Sequence, residues 1–185
     1  MKRKLLHKLK KRQGFSLTEM LATVLIMGFV GIIITTGAAT VQRVYRKVVA
    51  HANAQTALTT TITLMKDQLA FADPESITVS GTTISFQNLN SGEQTITLNP
   101  GTANRGFTLT YSAAGTGTGT NTILPLLSDS AITSDLCVCF DGDDSGFSWD
   151  PATKVITVTK LVAKDTRTNT VQARASFKVL LVNDK

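Results

Sequence analysis

Two hydrophobic patterns of helical type follow one another in the first seventy residues of the chain. From Met20 to Val41 the residues are uncharged and mostly apolar, a length close to the roughly 20 residues that a helix needs to cross a bilayer. From Gln42 onward the pattern becomes amphipathic, with apolar positions near helical spacing. These positions are Val44, Val48, Ala52, Ala54, Leu58, Ile62, Met65 and Leu69. We therefore predict one helix from Phe15 to Ala72, of which the first part lies in a membrane and the second packs on a folded head.

The remainder of the chain has a strand-type pattern that begins after a helix stop. Asp73-Pro74 predicts that stop, because the residue before a proline is disfavoured in helical conformation. The β-branched cluster from Thr59 to Thr63 disfavours the helix locally and is compatible with a break or bend there. After Pro74, short runs of β-forming residues alternate with turn residues. The predicted strands are Ser76–Ser80, Thr83–Gln87, Thr95–Leu98, Phe107–Tyr111, Val155–Val162 and Val171–Val182.

These patterns together predict an α+β fold. A long N-terminal helix, with a membrane half and an amphipathic half, packs on a mostly antiparallel β-sheet head. The predicted boundaries are 1–14 for a basic leader, 15–41 for the membrane helix, 42–73 for the amphipathic helix and 74–185 for the head. A glycine–threonine repeat at 115–120 predicts an exposed, flexible loop and is only a weak domain boundary.

The net positive charge of the chain comes from the leader. The whole chain has a net charge of +6, with nineteen basic and thirteen acidic residues. Removing residues 1–14 takes away seven of the basic residues and none of the acidic ones, which leaves a net charge of −1. A basic segment beside a membrane span is expected to stay on the cytoplasmic side. No aromatic residue is interleaved with these charges, so we infer no contact with nucleic acid.

A single acidic residue, Glu19, stands at the start of the apolar run. A carboxylate left unpaired at the edge of such a run costs about 2–3 kcal/mol in lipid. We therefore expect Glu19 to have a partner. The nearest candidate is the amine that a cut before Phe15 would create, four residues earlier on the same helix.

The junction Lys11-Arg12-Gln13-Gly14-Phe15-Ser16-Leu17-Thr18-Glu19-Met20 resembles the prepilin signal of type IV pilins and pseudopilins. Such chains are cut after the glycine and methylated on the new N-terminal residue. The matching residues are Gly14 before the cut, Phe15 after it, and Glu19 as the fifth residue of the mature chain. The resemblance covers residues 10–42. The predicted helix and β-sheet head are also similar to the pilin fold.

The resemblance implies a structural subunit of the minor class, with a loose likeness to J-type and W-type pseudopilins. The fibre would be a type IV pilus, a type II secretion pseudopilus or a DNA-uptake pilus. The implied partners are a prepilin peptidase and methyltransferase, other pilin or pseudopilin subunits, and the membrane. Glu19 would pair with the N-terminal amine of a neighbouring subunit and fix the register of assembly. The implied location is a single-pass cell membrane protein with an extracytoplasmic head, which joins a cell-surface fibre after assembly.

Three other interpretations of the helix stay open. A secretory signal peptide could use Gly37-Ala38-Ala39 as its cleavage site, although the uncharged run continues to Val41. A signal anchor that is never cut leaves Gly14 and Glu19 without a role. In the third interpretation, the helix only tethers an extracellular binding module that does not polymerise.

An acidic segment in the head, Asp141-Gly142-Asp143-Asp144-Ser145-Gly146, is similar to the first half of a calcium-binding loop. Its oxygen ligands at alternate positions would be Asp141, Asp143 and Ser145. Ala152 stands where such loops have a bidentate acid, and Asp150 could replace that acid only from a different spacing. Some pseudopilins bind calcium in their heads. Calcium binding and an unliganded acidic turn between two strands therefore both stay open, and no other cofactor is predicted.

The two cysteines of the chain are Cys137 and Cys139. Residues two positions apart lie on the same side of a strand, with Cα atoms near the upper limit for a disulfide. A strained disulfide and two free thiols are both compatible with this spacing. After removal of the leader only one histidine, His51, remains, and no nucleotide-binding motif is present. We therefore expect no enzyme activity.

Overall fold

The computed structural model describes residues 16–88, 94–100, 106–112, 122–127, 135–142 and 144–182. Its helix α1 comprises Leu17–Ala70. The chain divides into two units, residues 1–47 and residues 48–185. The apolar half of α1 belongs to the first unit. The second unit contains the remainder of α1, a short 3-10 helix at Pro74–Ser76 and nine strands among the described residues.

The threonine cluster does not interrupt α1, which runs through it without a break. The hydroxyl groups of Thr60, Thr61 and Thr63 each donate to the carbonyl oxygen four residues earlier, at 2.8 to 3.0 Å. These bonds satisfy the hydroxyls inside the helix, which removes the competition with backbone hydrogen bonding that disfavours such residues elsewhere. The break that the cluster allowed is therefore absent.

One face of the second half of α1 is buried in the head. Ala54, Leu58, Met65 and Leu69 are buried as predicted, and Ile62 is half-buried. Two buried residues, Ala57 and Thr61, were missing from the predicted stripe. Three predicted members, Val44, Val48 and Ala52, are exposed instead. For Val48 the reason is geometric, since six residues turn a helix by about 240° and place it on a different face from Ala54.

The first sheet has five antiparallel strands that follow the order of the chain. These strands are β1 (Thr78–Ser80), β2 (Thr83–Gln87), β3 (Thr95–Pro100), β4 (Phe107–Ser112) and β5 (Thr122–Pro125). Their alternating side chains bury Ile84, Phe86, Ile96, Leu98 and Leu109. This alternation is what a sheet with one face on the core requires.

The second sheet is built around one long central strand. Its strands are β6 (Leu136–Phe140), β7 (Gly146–Asp150), β8 (Val155–Asp165) and β9 (Val171–Leu180). β9 pairs with one edge of β8, while β7 and β6 pair with successive halves of the other edge, all antiparallel. Lys160, with φ of 53°, lies in β8 where these two halves meet and where the β8–β9 register shifts. β6 and β7 pair with adjacent halves of the same edge of β8. The turn that connects β6 to β7 therefore lies beside Lys160.

Both sheets and the helix contribute to one hydrophobic core. Between the sheets, the ring of Phe140 stands edge-on to the ring of Phe107, with the ring centres 5.1 Å apart. Within the second sheet, the same ring stands edge-on to that of Phe147 at 5.3 Å. Lys66 of α1 lies 5.5 Å from the centre of the Phe177 ring in β9. The predicted α+β fold, a long helix packed on antiparallel β structure, is confirmed. The head contains two sheets rather than the single sheet that the pattern predicted.

The two sheets meet through backbone at a point where no side chain fits. The amide of Phe147 donates to the carbonyl oxygen of Gly81 at 3.1 Å. At Gly146, an added Cβ would lie 2.5 Å from that same oxygen, and φ is +141°. Glycine is therefore required at this position both by space and by backbone conformation.

We predict that Gly146→Ala destabilises the head by about 1–3 kcal/mol, because the methyl group collides with backbone and the φ value strains alanine. The measurement is thermal unfolding of the full chain in detergent. Gly81→Ala is the matched control. Its φ is +58° but an added Cβ there meets nothing within 4 Å, so it should cost less. Equal melting temperatures for the two variants would contradict the close approach.

Candidate functional site

Ser16 directly precedes helix α1 and is the second residue after the predicted cleavage site. The carbonyl oxygen of Ser16 accepts hydrogen bonds from the amides of Glu19 at 2.9 Å and Met20 at 3.1 Å. The hydroxyl groups of Ser16 and Thr18 lie 2.8 Å apart. Ser16 and Glu19 also have the spacing of a capping box, a sequence signal for a helix start that the hydropathy pattern alone does not use. Gly14 and Phe15 lie outside the described residues.

Glu19 is an exposed carboxylate in the first turn of the helix. A negative charge there is favoured by the unsatisfied amides at a helix N-terminus, by about 0.3–1 kcal/mol at an exposed position. Among the residues that the structure describes, Glu19 forms no ion pair. Its carboxylate therefore has no basic partner in the described part of this chain, and the predicted pairing with a freed amine stays a prediction.

The surface that follows Glu19 is apolar and uncovered. α1 is long and apolar enough to cross a membrane, and none of its apolar window is buried. The large apolar side chains between Met20 and Val41 are between 48% and 76% exposed, with Val30 the least exposed. In water such a surface would be strongly unfavourable, at about 25 cal/mol per Å² of apolar area. Lipid or other apolar helices are the surroundings in which it is stable.

The polar groups inside this apolar segment are satisfied by the helix itself. Thr23 donates to the carbonyl oxygen of Met20, and Thr40 donates to that of Thr36. The hydroxyl groups of Thr35 and Thr36 also donate to carbonyl oxygens three and four residues earlier, at 2.9 to 3.1 Å. A hydroxyl group without a partner costs several kcal/mol in hydrocarbon, so these bonds make the segment compatible with a bilayer.

Comparison with protein families gives one match, which covers the start of this helix. Residues 9–35 match the family model described as the prokaryotic N-terminal methylation motif. The matched residues include Gly14, Phe15 and Glu19. Together with the long apolar helix, this match shows that the chain carries a type IV pilin-like prepilin signal. No curated protein and no solved structure matches the chain.

The motif identifies the chain as one with a prepilin signal, and it gives no information about the function of the head. Chains with this signal are substrates of prepilin peptidase, and the signal implies assembly with other pilins. It fits a membrane-anchored pilin and suggests a structural rather than an enzymatic role. The match ends at residue 35, so the head receives no assignment from it.

In the head, the acidic turn between β6 and β7 is held by basic residues of its own sheet. The carboxylate of Asp141 accepts a hydrogen bond from the guanidinium of Arg174 in β9 at 2.8 Å. Asp144 lies 3.6 Å from the ammonium group of Lys160. The Ser145 hydroxyl donates to the carbonyl oxygen of Gly142. Asp141 and Asp144 therefore each have a basic partner within the protein. Asp143 lies outside the described residues.

Asp150 lies at the far end of β7 from this turn. Its carboxylate accepts from the Thr153 hydroxyl at 2.7 Å and from the Ala152 amide at 3.0 Å, which lowers its pKa. The five residues of β7 separate it from Ser145 by about 15 Å of strand. Asp150 therefore serves the turn into β8, and the structure does not bring it to Asp141 and Ser145. No group of three metal-ligating acids, histidines or cysteines occurs within the described ranges. Calcium binding by the acidic turn stays a prediction.

Cys137 and Cys139 are free thiols on the same side of β6. A hydrogen bond from the thiol of Cys139 is the main reason that the pKa of Cys137 is lowered to about 6, with help from the Gly106 amide and the charge of Lys164. Burial of Cys137 opposes this shift. The same hydrogen bond, together with burial, raises the pKa of Cys139. The structure contains both cysteines as thiols, and a disulfide between them stays a prediction.

We predict that the reduced chain forms one thiolate as pH rises through about 6, because Cys137 loses its proton while Cys139 keeps its own. The ultraviolet absorbance of the thiolate measures this titration. In Cys139→Ala the hydrogen-bond donor is lost, so the transition should move up towards the ordinary cysteine pKa of 8.5. In Cys137→Ala no transition near pH 6 should remain. An unchanged transition in Cys139→Ala would refute the thiol–thiolate contact.

Proposed function

We propose that this chain is a minor structural subunit of a type IV pilus, a type II secretion pseudopilus or a DNA-uptake pilus. Prepilin peptidase cuts it after Gly14, and the new N-terminal residue, Phe15, is methylated. The mature chain then joins a fibre through the apolar half of α1. The observation that carries the proposal is the methylation motif at residues 9–35, of which residues 17–35 lie on a helix with an uncovered apolar surface.

The chemistry of the first turn supports this order of events. Cutting before Phe15 creates an amine four residues before Glu19 in the sequence. In the crowded helices of a fibre, the carboxylate of one subunit pairs with the amine of the next. Each ion would otherwise remain unpaired in a low dielectric, where opposite charges attract strongly. The pair therefore favours one axial register among the many that a uniformly apolar helix would permit.

The test of processing is mass spectrometry of the N-terminal peptide from chain expressed with a prepilin peptidase. We expect a peptide that begins at N-methylated Phe15. In Gly14→Ala, a side chain obstructs the approach of the peptidase to the backbone, and the uncut precursor should accumulate. A wild-type chain that keeps residues 1–14 would instead support the non-polymerising tether. Gly28→Ala is the control, because an added Cβ there meets nothing within 4 Å and the cut is distant.

The test of assembly is the Glu19→Ala variant. We expect normal cleavage, since the cut lies four residues away, and a fall of at least about tenfold in the fraction of chain recovered in sheared fibres. Immunoblots of sheared and membrane fractions measure it. Glu75→Ala removes an exposed acid from the head and should leave incorporation unchanged. Normal incorporation of Glu19→Ala would overturn the role of Glu19 while leaving the processing step intact.

A further inference from the structure

Positive charge collects at the end of the apolar span that lies away from the leader. The span has no charged residue from Met20 to Gln42, and it is followed at once by Arg43, Arg46 and Lys47. No acidic residue occurs in α1 between Glu19 and Asp67. These three basic residues therefore have no acid of their own helix within reach, since only residues three or four apart are neighbours on a helix.

The helix places the three basic residues on one face. Their spacing of three and four residues confines them to an arc of about 100°. All three side chains are exposed, and within the described residues none of them forms an ion pair. Tyr45 lies between them in sequence and is 69% exposed on another face of the helix. A tyrosine with neighbouring basic residues is typical of the level at which a helix leaves the hydrocarbon.

The depth of the three residues agrees with this placement. From Met20 to Val41 the helix rises by about 33 Å, against about 30 Å for the hydrocarbon core of a bilayer. The next turn, which begins at Arg43, therefore lies among the lipid headgroups. Long basic side chains reach from there to phosphate oxygens while their stems remain on apolar surface. The whole segment lies within the unit formed by residues 1–47.

We propose that Arg43, Arg46 and Lys47 form a binding site for the phosphate groups of anionic phospholipids, in the leaflet reached by the C-terminal end of the span. A lipid surface is favoured over an acidic protein because the site is continuous with the apolar span and sits at headgroup depth. The site holds the unassembled subunit at a fixed depth, with the acid of Glu19 at one edge of the bilayer and the basic face at the other. The proposal rests on the membrane insertion in the proposed function and is independent of cleavage and fibre assembly.

The test uses full-length chain purified in a neutral detergent, with phosphatidylglycerol and phosphatidylcholine as probes and native mass spectrometry as the readout. In every chain compared, including the one called wild type in this test, the seven basic residues of the leader are replaced by glutamine so that they do not bind the anionic lipid. We expect the wild-type chain to retain phosphatidylglycerol in preference to phosphatidylcholine. In R43Q/R46Q/K47Q the affinity for phosphatidylglycerol should fall by about a hundredfold, from roughly fivefold for each basic residue near an anionic surface. The affinity for phosphatidylcholine should not change, and the wild-type preference should weaken at high salt.

Two control variants keep the result specific. K154Q/K164Q/K178Q removes the same number of charges from the head and should bind phosphatidylglycerol like the wild type. R43K/R46K keeps the charges and should stay within about threefold of the wild type, and circular dichroism checks that each variant retains its helix.

The outcomes separate the possible roles of the basic face. Unchanged phosphatidylglycerol binding by R43Q/R46Q/K47Q would overturn the proposal. If that variant bound lipid normally but failed to enter fibres, the basic face would instead bind acidic side chains of another subunit. Failed cleavage of the wild-type chain would refute the proposed function and leave this result standing.

Discussion

Helix α1 has to be stable in two different surroundings along its length, and this requirement governs the organisation of the chain. Its first half presents a continuous apolar surface that the described residues leave uncovered. Its second half buries one face against the two sheets. A helix can serve both because all of its backbone hydrogen bonds are internal, so the backbone is satisfied in lipid and in a protein core alike. Only the side chains differ between the halves.

Ionisable groups mark the two ends of the apolar half. Glu19 stands in the first turn, where the amides of the helix N-terminus favour a negative charge. Arg43 begins a basic face at the other end. Between them, every threonine donates to a carbonyl oxygen of the preceding turn, so no hydroxyl requires an external partner. The segment is therefore apolar to its surroundings along its length and charged only at its edges, which is the pattern expected of a membrane span.

In the head, the close contacts between the sheets depend on residues that have little or no side chain at the crossing point. Gly146 lets β7 approach the β1–β2 turn closely enough for the backbone bond between Phe147 and Gly81. The rings of Phe107 and Phe140 then meet edge-on across the sheets. The Asp141–Arg174 ion pair is partly exposed and contributes at most about 1 kcal/mol, so packing rather than charge stabilises this arrangement.

The sequence by itself determined the elements whose signals are local. The helix was predicted to within two residues at each end, and β2 was predicted with its observed bounds. The prepilin signal was also readable directly, because a cleavage glycine, an aromatic residue, an acid and an apolar run are adjacent in the chain. The S-x-x-E spacing that begins at Ser16 is an equally local signal for the helix start.

Only the tertiary structure decided what depends on residues far apart in sequence. β5 has four exposed residues and no alternation of burial, so it is defined by its pairing with β4 alone. Asp150 is close to Ser145 in sequence, yet an intervening strand carries it away, whereas Arg174 reaches Asp141 across 33 positions because β6 and β9 flank the same strand. The division of the head into two sheets followed from the same cause. Strand pairing joins partners that no local pattern specifies, whereas helix and cleavage signals are complete within a few turns of chain.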